Sequence, residues 1–340
     1  MKKNKGKSII IFRSGLIGDT IVAIPAIYEI KKNNKNNKII YVSFKEKKEH
    51  LEPINIIGST KFVDVFLILR TYNKILLLID LLFLIMHIII SKNCEVFHLE
   101  TFEFNYKLKK KFFIFFGVKN FYFESTYINK KISIRLLNIV NQRYPISISS
   151  QKEEVSFNAT NDYIELKQSV EFNQKKIQYY IIAACTNFKS KLWDKDNYIL
   201  IAKELYYRHN LMPVLYGSKN DFDYCEQIIK ELNFGFNFAG LFSISQSLSF
   251  LKKSKFYLGN DTGVMHMASM MNIKCFTIFS SIEKDDKWLP YGRKHINFKT
   301  PIICEGCKLK VCINYDNLCI KSIQSSDVLK AINLYLENKT

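Results

Sequence analysis

The sequence predicts an α/β protein with two Rossmann-like domains whose parallel sheets face each other across a cleft. One segment, residues 8–19, is an apolar strand followed by a glycine-bearing turn and a helix start. A second, residues 257–266, has the same form far along the chain. Strands and helices also alternate between them, which favours parallel sheets. Ligands of open α/β sheets bind just beyond such strand ends.

The first half of the chain contains the elements of one such domain. Predicted strands are residues 8–12, 38–44, 62–69, 95–99 and 121–123, and predicted helices are residues 19–31, 75–90 and 107–116. The helix at 19–31 has apolar residues at a helical spacing, at positions 21, 24, 27 and 30. The pattern weakens over residues 149–176, where Ser, Asn, Gln and Lys accumulate, and this stretch is the predicted linker.

The second half restarts the alternation. Predicted strands are residues 178–184, 212–216, 256–259 and 274–279, and predicted helices are residues 196–208, 222–232, 245–252, 262–271 and 325–336. The resulting domains are residues 1–160 and 175–324. Residues 325–340 form a C-terminal helix that is expected to pack back on the N-terminal domain.

Residues 75–90 are almost wholly apolar, with Asp80 and His87 as the interruptions. The stretch is shorter than the ~20 residues that span a bilayer. A buried helix packed on a sheet is the first interpretation. A helix resting on a membrane surface is the alternative.

The composition excludes a disordered chain, since 48% of the residues are hydrophobic. A net charge of +19 raises the possibility of nucleic-acid binding. However, only six of the 50 basic residues are Arg, the type that favours bidentate base contacts, and no nucleic-acid-binding motif is visible. The charge therefore favours anionic substrates or an anionic membrane face over nucleic acid. Eight cysteines without a recognisable export signal predict a reducing, cytoplasmic location.

The turn after the first strand contains Gly15 and Gly18 but neither a dinucleotide-binding nor a P-loop motif. Asp19 falls in the first turn of the following helix. A carboxylate at this exposed strand edge is a candidate general base. The alternative is an acid that is favoured at a helix N-terminus by the helix dipole alone.

A candidate anion site lies at residues 260–263, Asn-Asp-Thr-Gly, which precede a helix. Backbone N–H groups at a helix N-terminus suit a phosphate or a diphosphate. His266 lies one turn further on the same face. The segment 186–193 offers Thr186 and two lysines, Lys189 and Lys191, to the same ligand. An ordinary helix cap with a core-facing histidine is the alternative.

Half of the cysteines form a compact cluster with the spacing C-x2-C-x4-C-x6-C. They are Cys304, Cys307, Cys312 and Cys319. Four thiolates are suitable ligands for a structural zinc or iron ion. Free or redox-active thiols are the alternative interpretation.

Together these segments resemble glycosyltransferase family 9, the ADP-heptose:lipopolysaccharide heptosyltransferases. Residues 11–26, with Gly18-Asp19 and Pro25-Ala26, are similar to the N-terminal signature of the family. Residues 259–266 are similar to its C-terminal signature, and residues 191–198 to a third block. A four-cysteine loop recurs in many members. The matches occur in the family's order along the whole chain.

The resemblance implies the GT-B fold, with an acceptor-binding domain at 1–160 and a nucleotide-sugar-binding domain at 175–324. It implies an inverting transfer of heptose from ADP-heptose to a lipopolysaccharide core or a related anionic glycolipid, without a catalytic cofactor. The implied catalytic residues are Asp19, as general base, and Lys191. The implied donor-binding residues are Thr186, Gly217, Asp261, Thr262, Gly263 and His266, and those on the acceptor side are Arg13, Ser14 and Gly18.

Two alternatives remain open at this point. A GT-B transferase with another nucleotide-sugar, or with a protein or capsule acceptor, would carry the same signatures. A non-catalytic Rossmann-like binding protein with a structural metal loop is an alternative of another class. The resemblance also implies a cytoplasmic protein with peripheral contact to the inner face of the inner membrane.

Overall fold

The computed structural model describes residues 7–15, 17–45, 54–91, 93–100, 106–124, 131–145, 177–284 and 286–338. The chain divides into two compact units, Met1–Asn158 and Ala159–Thr340. The division falls inside the segment predicted as the linker. Residues 149–176 themselves lie outside the described residues.

The described part of the first unit carries a parallel sheet of five strands in the order β3-β2-β1-β4-β5. Its elements are β1 (Ser8–Phe12), α1 (Ile17–Asn33), β2 (Lys38–Lys45), α2 (Ile54–Ile57), β3 (Val65–Arg70), α3 (Lys74–Ser91), β4 (Cys94–His98), α4 (Tyr106–Phe115), β5 (Asn120–Tyr122) and α5 (Ile132–Asn141). Strand β1 pairs with both β2 and β4, and Phe12 lies opposite Val42 and His98. Every residue of β1 and of β4 is buried, as expected for central strands covered on both faces.

The described part of the second unit carries a parallel sheet of six strands in the order β11-β10-β9-β6-β7-β8. Its elements are β6 (Tyr179–Ala183), α6 (Lys195–His209), β7 (Met212–Leu215), α7 (Phe222–Leu232), β8 (Phe236–Asn237), α8 (Ile244–Lys252), β9 (Tyr257–Asn260), α9 (Gly263–Met270), β10 (Cys275–Phe279), β11 (Ile296–Lys299), α10 (Leu318–Lys321) and α11 (Ser325–Glu337). The two sheets confirm the predicted α/β class with two Rossmann-like parallel sheets.

Five elements were not predicted from the sequence: α2, α5, β8, β11 and α10. Four of them have four residues or fewer, too short for a periodic pattern to be recognised. Helix α5 is longer, but seven of its ten residues are buried. Two of those seven, Ser133 and Arg135, are polar residue types that are mostly exposed in proteins, so the buried face is hard to read from the sequence.

Helix α3 corrects the prediction for the apolar stretch 75–90. The helix packs on the sheet as expected, and it contributes Leu84 and Ile88 to the core beneath it. However, only three of its 18 residues are buried, so the prediction of a buried helix is wrong for its outer face. Among the described helices, α3 alone has the length and hydropathy that a membrane span requires.

The C-terminal helix α11 packs on helix α6 of the second unit. Val328 and Ile332 are fully buried there, in one cluster with Ala202 and Leu205. This contact explains the apolar spacing that the sequence shows in residues 325–336. The expected packing of this helix on the N-terminal domain stays a prediction.

Candidate functional site

Each sheet has one point where the strand order reverses direction, and the candidate residues gather at these two points. In the first unit the reversal lies between β1 and β4, and in the second between β6 and β9. Loops that leave two such strands diverge to opposite faces of the sheet and leave a crevice that binds ligands. Sequence reasoning placed candidate residues after β1, β6 and β9, next to these two points, and one further candidate, Gly217, after β7.

In the first unit, Arg13 holds the loop after β1 together. Its side chain is fully buried, and its guanidinium donates to the carbonyl oxygens of Leu99, at 2.8 Å, and of Asp19, at 2.9 and 3.1 Å. It also lies 3.1 Å from Oδ1 of the Asp19 carboxylate. Arg13 therefore fixes Asp19 in the first turn of α1 while the carboxylate keeps some exposure, 20% of its side chain.

Gly15 makes room for this arrangement. It has a φ of +125°, and a Cβ added to it would lie 2.5 Å from Cβ of Asp19 and 2.7 Å from its Oδ2. Only glycine adopts this backbone readily and leaves that space open. The glycine in this turn is therefore required by the position of the Asp19 side chain.

Ser14 links the ends of β1 and β4. Its backbone N–H and its Oγ both donate to Oε1 of Glu100 at 2.8 Å. Glu100 was not among the residues singled out from the sequence. The signal was present, since Glu100 directly follows the predicted strand 95–99, but its proximity to Ser14 depends on the pairing of β1 with β4. Gly18 lies in the first turn of α1, next to Asp19.

In the second unit, Lys191 and Asp261 bridge the crevice. Nζ of Lys191, in the loop after β6, lies 2.6 Å from Oδ2 of Asp261, which directly follows β9. Both side chains are largely buried, with 18% and 10% exposed. Asn260 ties the same two strand ends together, because its Nδ2 donates to the Ala184 carbonyl at 2.8 Å. The structure thus brings together Lys191, predicted as a catalytic residue, and Asp261, predicted to bind the donor.

Helix α9 begins beside this ion pair. Thr262 is its N-cap residue with an extended backbone, and its side chain makes no capping hydrogen bond among the described residues. Its Oγ1 lies 3.4 Å from the Tyr257 hydroxyl. His266 is buried one turn further, with Nε2 4.0 Å from Oδ1 of Asp261. The first turn of α9 therefore presents backbone N–H groups next to Asp261, as an anion site requires.

A small pocket opens on this pair of residues. Its lining comprises Lys191, Asp261, Phe279, Ser280, Ile282, Glu283, Asp286, Trp288, Leu289 and Lys299. Sequence reasoning identified only the first two. Phe279 ends β10, Lys299 ends β11 and the others lie between these two strands, whose place in the sheet beyond β9 is a long-range property. Trp288 adds an aromatic ring to this lining, and Lys299 adds an ammonium group that is paired with Glu305 at 2.7 Å.

Thr186 and Gly217 are not part of this lining. Thr186 follows β6, and its Oγ1 accepts a hydrogen bond from the backbone N–H of Phe188 at 3.5 Å. Gly217 follows β7, on the other side of β6 from β9. A Cβ on Gly217 would lie 2.8 Å from Oδ2 of Asp221, so this glycine is packed against a helix start.

The four-cysteine loop lies against the site. Ser190, next to Lys191, is buried; its Oγ donates to the Leu309 carbonyl at 2.5 Å, and its N–H donates to the Lys310 carbonyl at 3.1 Å. On the pocket side, the N–H groups of Gly306 and Lys308 donate to the carbonyls of Ser281 and Ile282. The loop therefore supports both the turn that carries Lys191 and the segment that lines the pocket.

The four thiols themselves show part of what a metal site needs. Burial raises the pKa of Cys319 and a hydrogen bond with the Ser281 backbone lowers it, while the charges of Cys304, Cys312 and Cys307 raise it further. Backbone N–H groups of Asn317 and Tyr315 donate to the Cys312 sulfur and lower its pKa. However, no group of three or more His, Cys, Asp or Glu side chains in the described residues is placed to coordinate a metal ion. The donor set fits zinc or iron, but the coordination geometry is not formed.

Known proteins that are similar to this chain agree with the family that its sequence resembles. The model of glycosyltransferase family 9 (heptosyltransferase) matches residues 134–316, more than half of the chain. Lipooligosaccharide heptosyltransferase 2 of Campylobacter jejuni is 20% identical over 95% of this chain and 96% of its own length.

Solved structures agree in fold. A glycosyl transferase family 9 protein from Veillonella parvula superposes with a TM-score of 0.70 at 15% identity, over 99% of both chains. The ADP-heptose LPS heptosyltransferase II of E. coli superposes with a TM-score of 0.66 at 14% identity, over 98% of this chain and all of the other. These likenesses confirm the predicted GT-B fold class. Since the family model covers more than half of its residues, the chain belongs to glycosyltransferase family 9, the heptosyltransferase family, and is a glycosyltransferase.

Proposed function

We propose that this glycosyltransferase moves a heptose from ADP-heptose to a lipopolysaccharide core or a related anionic glycolipid, with inversion at the anomeric carbon. The family and the names of its relatives support a heptose donor and a lipopolysaccharide-type acceptor. The strong positive charge of the chain suits an anionic acceptor. The proposed location is the cytoplasm, at the inner face of the inner membrane.

The observation that carries the donor assignment is the contact between Lys191 and Asp261 at the strand reversal of the second sheet. An ammonium group there is available to stabilise the negative charge that grows on the diphosphate as it leaves. The N–H groups of Thr262 and Gly263 at the start of α9 add preorganised donors. Asp261 and His266 then hold the nucleotide-sugar, and Thr186 and Gly217 border it.

Asp19 is the proposed general base. Its carboxylate takes the proton of the acceptor hydroxyl while the hydroxyl oxygen attacks the anomeric carbon and the bond to the nucleoside diphosphate breaks. Attack from the face opposite the leaving group inverts the configuration. Arg13 acts through Asp19, because its buried guanidinium holds that residue in place. Ser14 and Gly18 border the acceptor side of the same turn.

No metal enters this sequence of steps. We assign the four-cysteine loop a structural role, with Cys304, Cys307, Cys312 and Cys319 as ligands of zinc or iron. The thiolate donor set and the backbone N–H groups that stabilise Cys312 as a thiolate support this role. Elemental analysis of the purified protein tests it. About one metal ion per chain, lost when Cys312 and Cys319 are replaced by Ser, is expected; a metal-free protein with full activity would rule the role out.

A donor screen tests the function. Purified protein is mixed with ADP-heptose, UDP-sugars or GDP-sugars, and thermal stabilisation and release of nucleoside diphosphate are measured. Only ADP-heptose is expected to give both responses. Asp19→Ala is expected to lower turnover by about 100- to 10,000-fold, the usual contribution of a general base, while donor-induced stabilisation is kept.

Asp223→Ala is the matched control, because Asp223 is also an acid in the first turn of a helix and is exposed to solvent. This variant is expected to keep full turnover. A response to a different nucleotide-sugar would reassign the donor. Equal turnover in Asp19→Ala and the wild-type protein would remove Asp19 from the mechanism.

A further inference from the structure

Helix α3 has two apolar faces. One face, with Leu84 and Ile88, packs on the sheet. The opposite face consists of large apolar side chains that are between 45% and 72% exposed, namely Ile75, Leu78, Ile79, Leu82, Phe83, Met86, Ile89 and Ile90. Their spacing follows the helical repeat, so they form one continuous stripe about 22 Å long. A helix on the surface of a soluble domain normally turns polar residues to solvent.

This helix is fastened to the sheet. Asp80 is buried and accepts hydrogen bonds from Nη2, Nε and the backbone N–H of Arg70 in β3, at 2.6, 3.0 and 2.9 Å. Burial raises the pKa of Asp80, but the hydrogen bonds from Arg70 outweigh it and lower the pKa below its usual value. Asp80 is therefore charged and paired. Leaving the sheet to span a bilayer would break this pair, so α3 stays in place and presents its outer stripe.

Helix α4 adds a second set of exposed apolar side chains. It belongs to the same side of the sheet as α3, because Phe113 packs in one cluster with Leu84 and Ile88. Its exposed apolar side chains are Leu108, Ile114 and Phe115, the last of which is 82% exposed. Residues 106–119 contain five lysines and no acidic residue. Lys107 and Lys111 are exposed beside these apolar groups, as is Lys74 at the start of α3.

We propose that the outer face of α3 and α4 docks on a lipid bilayer that contains anionic lipids. Continuous aliphatic side chains flanked by lysines are the pattern of helices that lie in the membrane interface, with the apolar face among the acyl chains and the ammonium groups at the phosphates. The exposed stripe lacks the polar groups that a protein partner would pair with at an interface. This inference rests on the membrane location in the proposed function and names the surface of the first unit that makes the contact; it does not depend on which sugar is transferred.

Flotation of the full-length protein with vesicles tests the proposal. Vesicles of phosphatidylcholine alone are compared with vesicles of phosphatidylcholine and phosphatidylglycerol. The wild-type protein is expected to bind the mixed vesicles and to be released by salt. Replacing three stripe residues together, Leu78→Gln, Leu82→Gln and Met86→Gln, is expected to lower binding by ~10-fold or more, because their apolar surface no longer enters the interface.

The control variant combines Leu200→Gln with Leu334→Gln, two exposed apolar residues on helices of the second unit. It is expected to bind vesicles as the wild-type protein does. Replacing Lys107 and Lys111 by Gln is expected to remove the preference for anionic vesicles. Thermal unfolding and nucleoside diphosphate release, measured on each variant, show that the fold and the activity are intact.

Two outcomes would overturn the proposal. One is vesicle binding that the triple variant retains in full. The other is a wild-type protein that ignores vesicles and forms an oligomer that the triple variant dissociates; the stripe would then be an interface between copies of the chain.

Discussion

The ammonium group of Lys191 lies 2.6 Å from the carboxylate of Asp261, although 70 positions separate the two residues in the chain. Parallel pairing of β6 with β9 brings their loops together, since Ala183 lies opposite Gly259. The contact neutralises two largely buried charges before a ligand binds. Under the proposed function, an incoming diphosphate competes with Asp261 for the same ammonium group.

Replacing Lys191 by Ala is expected to lower turnover by about 100- to 1000-fold, the usual cost of one group that stabilises developing charge. Nucleoside diphosphate release under saturating donor measures it. Lys189→Ala is the matched control, because Lys189 lies in the same short turn and is exposed. Similar turnover in the two variants would show that the ammonium of Lys191 has no specific role.

Gly15→Ala is expected to abolish most turnover, by about 100-fold or more, because the new Cβ would displace Asp19. Gly117→Ala is an unusually close control. Gly117 also has a positive φ, of +96°, but a Cβ there would meet nothing within 4 Å. Both variants are expected to lose about 1–2 kcal/mol of unfolding free energy from backbone strain, and only Gly15→Ala is expected to lose activity. If Gly15→Ala and Gly117→Ala lost activity to the same extent, backbone strain and not the displacement of Asp19 would explain the loss.

Ser190→Ala tests whether the four-cysteine loop positions Lys191. The variant removes the hydrogen bond to the Leu309 carbonyl and is expected to cost about 1 kcal/mol of unfolding free energy and several-fold in turnover. Ser254→Ala removes an equivalent buried hydrogen bond, to the Leu251 carbonyl at 2.7 Å, elsewhere in the second unit. It is expected to show the same stability loss with normal turnover. Normal turnover in Ser190→Ala as well would leave the loop without influence on Lys191.

The stability of the first unit is expected to fall as the pH is lowered below about 6.5. Burial of His98, together with the nearby Lys109 charge, lowers the pKa of its imidazole to about 3. The imidazole of the unfolded chain binds a proton near pH 6.5, whereas that of the folded protein stays neutral down to about pH 3. The free energy of unfolding therefore falls by up to about 1.4 kcal/mol per pH unit between these two pKa values. Above about pH 6.5 the contribution is constant.

Urea unfolding at about pH 7 and about pH 5 measures this effect. His98→Phe keeps the ring that stacks on Phe12, with centroids 5.7 Å apart, and is expected to flatten the pH dependence. His209→Gln, in the second unit, is the control and is expected to retain it. An unchanged slope in His98→Phe would assign the pH dependence to other groups.

Local patterns made several of these features predictable. The apolar strand 8–12, followed by glycines and an acid, identified the Asp19 turn, because that signal lies within a dozen consecutive residues. Residues 257–266 identified the start of α9 in the same way. The resemblance to the family assigned Arg13 to the acceptor side. Its complete burial beneath Asp19 emerged only from packing, since nothing local specifies which way an arginine side chain turns.

Glu100, Ser280 and Lys299 were missed for a related reason. Each follows a strand or belongs to one, but its nearness to the candidate residues depends on the order of strands in the sheet. The exposure of the outer face of α3 could not be predicted for a different reason. Hydropathy identified an apolar helix, yet both faces carry the same kinds of residue, so the sequence has no signal for which face is covered.

The sequence by itself determined the alternation of strands and helices, the two turns that bear Asp19 and Asp261, and the family to which the chain belongs. These depend on hydrophobic period, glycine and short motifs, which act over neighbouring residues. Tertiary structure decided that Lys191 meets Asp261, that Ser14 meets Glu100 and that the outer face of α3 is left uncovered. Strand order and helix packing create such contacts between distant segments, and they are settled by the burial of the whole core.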